Sequence, residues 1–251
     1  MPRRLERPAT RTQFVALFLL QLSNFRWSWR GMLITGMIAP LLTVASLGAF
    51  AEDPANLSYV LCGSIVLSLM FQNQNNVAGN FAYMKAMGTL DFFATLPIHR
   101  SLVVVATVLA FFLLSVPSLI VTTVLGVVIL GVGVHLSWWA ILVVPLCVLP
   151  LAGIGAFVGV QARTPEAAGA TSILLTFLLL FFGPVIVPPD RLPDWSLALG
   201  HVSPTTYASS AVRQVVVGPV TGRLWLDLGV LVLVTAVTLW GVGHRMPWHQ
   251  R

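Results

Sequence analysis

Six apolar runs dominate this chain of 251 residues, at roughly 32–50, 57–78, 102–130, 138–160, 167–187 and 224–242. A helix needs about 20 apolar residues to cross the hydrocarbon layer, and in that solvent its backbone polar groups must be satisfied internally. Each run therefore predicts a transmembrane helix, and the chain as a whole predicts an all-α polytopic membrane protein. Composition agrees, with 57% of residues hydrophobic and 9% charged, more apolar surface than a soluble domain of this length could bury. The third run is longer than one crossing, so it must tilt or run into the interface.

Six spans put both termini on one side. Arg3, Arg4, Arg7, Arg11, Arg26, Arg30, Lys85, Arg100, Arg163, Arg245 and Arg251 fall on that side, eleven of the fourteen basic residues. The opposite side holds Glu52, Asp53 and, in its long third loop, Arg191, Arg213 and Arg223. The positive-inside bias then predicts cytoplasmic termini and explains the net charge of +6 without a nucleic-acid surface. The basic N-terminal residues lack a short apolar region followed by a small-residue cleavage site, so no removable signal peptide is expected.

Residues 1–30 are expected to form a tail and an interfacial helix, and residues 31–251 one membrane domain. Phe14, Phe18, Leu22, Phe25 and Trp29 share one helical face, while Gln13, Gln21, Asn24 and Ser28 gather on another. That pattern suits a helix lying in the cytoplasmic interface, or a short buried helix before the first span. Cys62 and Cys147 lie inside apolar runs without CxxC spacing, which reads as buried thiols and not as a disulfide or metal frame. The five histidines are scattered at loops and ends, without metal-ligand spacing.

Several chemistries are disfavoured. Lys85 is the one lysine and is followed by Ala86, so the G-x-x-x-x-G-K-[ST] phosphate cradle is missing. All eight acidic residues sit in tails, loops or span ends, which argues against a proton relay across the membrane, with Asp227 the nearest exception. Neither G-x-S-x-G nor H-E-x-x-H occurs. No catalytic residue, resident metal or cofactor is expected.

The segment "QNQNNVAGNFAYMKAMGTLDFFATLPIHR" at 72–100 interrupts this apolar background. At helical spacing Gln72, Asn76 and Asn80 share a face, flanked by Asn73. Uncharged amides in lipid need partners, so the face either joins helices by hydrogen bonds or lines a translocation path for amphipathic cargo. Beyond Asn80, Phe81, Met84, Gly88 and Phe92 recur at helical spacing until Leu96-Pro97 closes the segment. A short cytoplasmic helix capped by Pro97, acting as a lever docked into another protein, is the expectation for 81–97; an interfacial hairpin is the alternative.

"GTLDFFATLPIHR" resembles the segment between spans two and three of ABC-2 type permeases, the membrane subunits of many bacterial ATP-driven exporters, where an E-R-x-x-G-T-L-E-x-L-x-x-[ST]-P-[IV]-x-R-like pattern recurs. Gly88, Thr89, Leu90 and Asp91 match its core, Thr95, Pro97, Ile98 and Arg100 match its end, Leu96 is an extra apolar residue, and Lys85 keeps the basic position. Met84 stands where the pattern has its leading glutamate. In the long loop 188–223, Ser203, Pro204, Tyr207 and Arg213 fit the family's "hxPxxYxxxxhR" arrangement.

The resemblance implies an ABC-2 (type V exporter-like) topology of six transmembrane helices with an N-terminal interfacial amphipathic helix. It implies that 81–100 is a coupling segment for a separate ATP-binding subunit, present in two copies and carrying the ATP and magnesium, and that 188–223 is an external re-entrant loop. It further implies a homodimer or a heterodimer with a second permease, in a bacterial cell membrane, exporting a drug, antibiotic or lipid. An ion-coupled carrier and a membrane assembly protein without transport are the alternatives. Gly153, Gly155 and Gly159 form a small face expected to pack within the subunit. Proline residues Pro188, Pro189 and Pro193 are expected to break the fifth span.

Overall fold

The computed structural model describes residues 10–25, 29–50, 53–96, 98 and 100–245. The basic tail before Thr10, together with Arg26, Ser28, Glu52, Pro97, His99, His249 and Arg251, lies outside the described residues. Those described are helices joined by turns, without strand.

The order is α1 (Thr10–Phe25), α2 (Trp29–Gly48), α3 (Pro54–Leu69), a π-helical turn (Met70–Asn75), α4 (Asn76–Ala86), α5 (Thr89–Thr95), α6 (Arg100–Leu130), α7 (Ala140–Gln161), α8 (Pro165–Phe181), a 3₁₀ turn (Pro189–Arg191), α9 (Asp194–Gly200), α10 (Pro204–Val216) and α11 (Arg223–Arg245). Among the described residues, four helices are individually long and apolar enough to cross a membrane: α2, α6, α7 and α11. The second span is composite, because α3, the π turn and α4 form one uninterrupted helical run over 54–86. It extends past the expected end at Ala78 as far as Ala86.

The fifth span differs from expectation. Its helix stops at Phe181, not at Val187, before any of the prolines assigned to breaking it. Gly183, at φ 110°, turns the chain, and Pro184 follows. At 1.5 Å per residue the 17 residues of α8 cover about 25 Å, short of the roughly 30 Å hydrocarbon layer. The carbonyls left free at its end are taken by hydroxyls from α9 and α10. Thr205 Oγ1 donates to Leu179 O at 2.8 Å and Ser196 Oγ to Phe181 O at 2.9 Å, while Ser209 Oγ donates to Val185 O at 2.9 Å in the turn that follows. A helix can end inside an apolar body only when such partners exist.

Packing centres on α7, which lies against α4 on one side and α11 on another, while α6 carries α1, α2 and α3. The glycine face of α7 is consumed within the chain. A Cβ at Gly155 would strike the Gln74 carbonyl, one at Gly159 the Ala78 carbonyl, and one at Gly153 the Thr238 side chain. Backbones therefore meet directly, which is how helices gain dispersion contact where no hydrophobic drive separates them from lipid.

Helix α1 turns its amide edge inward. Gln13, Leu17 and Gln21 are buried while Val15, Leu19 and Leu20 are exposed. Gln21 Nε2 donates to Thr107 Oγ1 of α6 at 2.8 Å. In lipid the polar edge is the one that needs a protein partner.

Candidate coupling and translocation site

The elbow begins where α4 ends. Gly88 adopts φ 70° and ψ 9°, a left-handed conformation that costs other L-residues about 1–2 kcal/mol. It ends α4 and opens α5, so the expected single lever over 81–97 is two helices with a glycine corner. Phe81 and Met84 belong to the span and are buried, whereas Phe92 is exposed, so the helical spacing that joined them does not describe one face. In α5, Leu90 and Phe93 point into the core, leaving Met87, Phe92 and Leu96 as an apolar outer surface with Tyr83 beside it. Asp91 sits in the first turn of α5, where a carboxylate suits the helix dipole. Thr95 Oγ1 donates to Phe92 O at 2.8 Å, and Arg100 opens α6.

Lys85 is engaged within the chain. Its Nζ donates to Val160 O at 2.9 Å and to Ala162 O at 3.0 Å, at the C-terminal end of α7. A cation there satisfies orphan carbonyls and meets the negative end of the helix dipole.

The amides divide into two groups. Gln72 reaches α2, where its Nε2 donates to Met32 O at 2.8 Å and its side chain fills the space over Gly36. Asn73 is fully buried and donates to Leu69 O. Gln74 and Asn75, absent from the expected set, join the π turn to α8. Gln74 Nε2 donates to Ser172 O and Thr176 Oγ1, and Ser172 Oγ donates to Asn75 Oδ1. Gln72, Gln74 and Asn75 thus serve as interhelical ties. Asn76 and Asn80 line a cavity of about 550 Å³ between α1, α2, the 54–86 helix, α5 and α6, and Asn75 borders it as well as tying the π turn to α8. Asn76 Nδ2 remains hydrogen-bonded to Gln72 O at 2.9 Å.

At the other end of the bundle, α10 is buried among α3, α7 and α11. Pro204 occupies its first turn, Tyr207 Oη donates to His201 O at 2.7 Å, and the Arg213 guanidinium lies 3.9 Å from the Tyr59 ring centroid. Asp227 of α11 is 0% exposed and its Oδ2 accepts from Ser210 Oγ at 2.7 Å and Gln214 Nε2 at 2.9 Å. This clasp from α10 to α11 was signalled in the sequence only by an acid one turn into an apolar run. Among the described residues no three His, Cys, Asp or Glu side chains converge as a metal site, and Cys62 and Cys147 are buried free thiols.

Residues 12–217 match the family described as ABC-2 type transporter. The chain is 30% identical over 153 residues to the daunorubicin resistance ABC transporter permease protein DrrB1 of Streptomyces coeruleorubidus, covering 59% of this chain and 53% of that protein. It thus spans about half the length of that relative. It is also 26% identical, over 257 aligned positions, to the probable doxorubicin resistance ABC transporter permease protein DrrC of Mycobacterium tuberculosis, with 92% of this chain and 89% of that protein covered. With a family match that takes in the elbow, the amide ties, the α7 glycines and α10 together, the chain is a multi-pass membrane protein belonging to the ABC-2 type transporter family.

Proposed function

We propose that the chain is the transmembrane subunit of an ATP-binding cassette exporter, forming the translocation path and driven by a separate ATPase subunit. The observation that carries this reading is the elbow. Leu90 and Phe93 anchor α5 into the core while Met87, 62% exposed, and Phe92, 59% exposed, face outward beside it. An anchored helix with an apolar outer face transmits force from a docked partner better than a free loop does.

Nucleotide binding would close a pair of ATPase subunits and displace α5, and the displacement would travel along the 54–86 helix and, through Lys85, into α7. Two copies of the chain, or one with a homologous permease, would complete the path. The charge distribution supports cytoplasmic termini in a bacterial cell membrane. Relatives named for resistance to daunorubicin and doxorubicin support an apolar or amphipathic small molecule as cargo.

Reconstitution into liposomes tests the reading. Solute movement should require both the ATP-binding subunit and ATP, and Met87→Cys should label only from the side on which ATP acts. Transport by the chain alone, or labelling from the opposite side, would overturn it.

A further inference from the structure

We propose that the cavity beside the elbow is a binding site for a neutral, planar amphiphile bearing carbonyl or hydroxyl groups. The inference rests on the export reading and names the chemical class of its cargo. At about 550 Å³ the cavity falls within the range of small-molecule sites. Gln21, Asn75, Asn76 and Asn80 contribute amides to its lining, and Tyr83, Phe93 and Phe111 contribute rings. Among the described residues that line it, none is charged. A charged ligand would find no counter-ion among them, whereas a neutral ring system needs none. Amides both donate and accept, so they suit carbonyl and hydroxyl groups alike.

One of these amides is committed to a poor partner, and a second touches it. Asn80 Nδ2 donates to Met84 Sδ at 3.4 Å, and Gln21 Nε2 approaches the same sulfur at 3.8 Å in addition to Thr107. A thioether is a weak acceptor on a flexible side chain. A cargo oxygen in its place would make stronger hydrogen bonds, and Met84 would yield. The displacement would occur four residues before Gly88, while Thr89 and Phe93 of α5 line the same cavity. Occupancy would therefore be felt at the elbow itself.

The test uses the purified full chain in lipid nanodiscs, without any ATPase, and 1,4-dihydroxyanthraquinone as a neutral fluorescent probe, with ethidium as a cation of similar size. A Cβ at Gly79 meets no atom within 4 Å, and Gly79 lines the cavity, so Gly79→Phe fills it without a backbone clash. Saturable binding of the anthraquinone above empty nanodiscs is expected, with weaker ethidium binding. Gly79→Phe should weaken it by roughly tenfold or more, and Asn80→Leu by about five- to tenfold, the scale of one lost hydrogen bond. Gly229→Phe, on an exposed face of α11, should bind as the parent does. Absent binding, preference for ethidium, or Gly79→Phe and Asn80→Leu within twofold of the parent would overturn the proposal. Because no ATPase is present, that result is independent of whether the chain exports anything.

Discussion

Lys85 holds its ammonium 2.9 Å from the Val160 carbonyl oxygen and 3.0 Å from that of Ala162, fastening the last turn before the elbow to the end of α7. Lys85→Met keeps the aliphatic stem and removes the donors. Charge-assisted bonds from a partly exposed lysine to a helix end are worth about 1–2 kcal/mol, so thermal loss of the monodisperse species should shift to lower temperature. In the proposed complex, cargo-stimulated ATP hydrolysis should fall further than complex abundance. A Met variant as stable and as well coupled as the parent would remove Lys85 from the force path.

The outer and inner faces of α5 should respond differently to charge. Phe92→Asp places a carboxylate on an exposed surface, so the chain should reach the membrane in near-normal amount yet fail to co-purify with the proposed ATP-binding subunit. Leu90→Asp buries the same charge at a position 2% exposed, at a cost of several kcal/mol, and should abolish folded protein. Equal yields for the two variants would contradict the anchored-helix geometry.

Gly155 faces the Gln74 carbonyl so closely that any Cβ forces α7 away from the π turn. Gly155→Val should therefore cost about 1–3 kcal/mol or more, read as loss of monodisperse protein on size exclusion. Gly229→Val, where a Cβ meets nothing within 4 Å, should be close to neutral.

The long spans are legible because apolar run length reports them directly. The run at 102–130 becomes α6, Arg100–Leu130, and the run at 138–160 becomes α7, Ala140–Gln161. What the runs do not report is backbone geometry inside them. The π turn at Met70–Asn75 has no hydrophobic signature, since a shift from i+4 to i+5 bonding leaves side-chain polarity unchanged. The cluster of amides was its visible trace. Phe182 and the run from Val185 to Val187 extend the apolar pattern past the end of α8, and only the Gly183-Pro184 pair, with serines and threonines some 12 to 25 residues later, marks where the helix stops. Gln21 was legible as polar but not as inward-facing, because in lipid a polar side chain seeks protein where in water it seeks solvent.

Asp227 separates a structural clasp from a proton carrier. Its Oδ2 accepts from Ser210 and Gln214, which holds α10 to α11 without any need for the carboxylate to change protonation. Asp227→Asn keeps an acceptor oxygen and most of the volume, so the proposed ATP-driven transport should persist in vesicles, with a loss of about 1 kcal/mol in stability. Asp227→Ala leaves the Ser210 hydroxyl and the Gln214 amide without their acceptor, at about 1–3 kcal/mol, and should loosen α10. Faster maleimide labelling of Ser209→Cys, whose parent side chain is buried in α10, would report that loosening. Transport that ceases in Asp227→Asn while the protein stays folded, and that in the parent follows an imposed pH gradient, would instead identify Asp227 as a coupling residue of an ion-driven carrier.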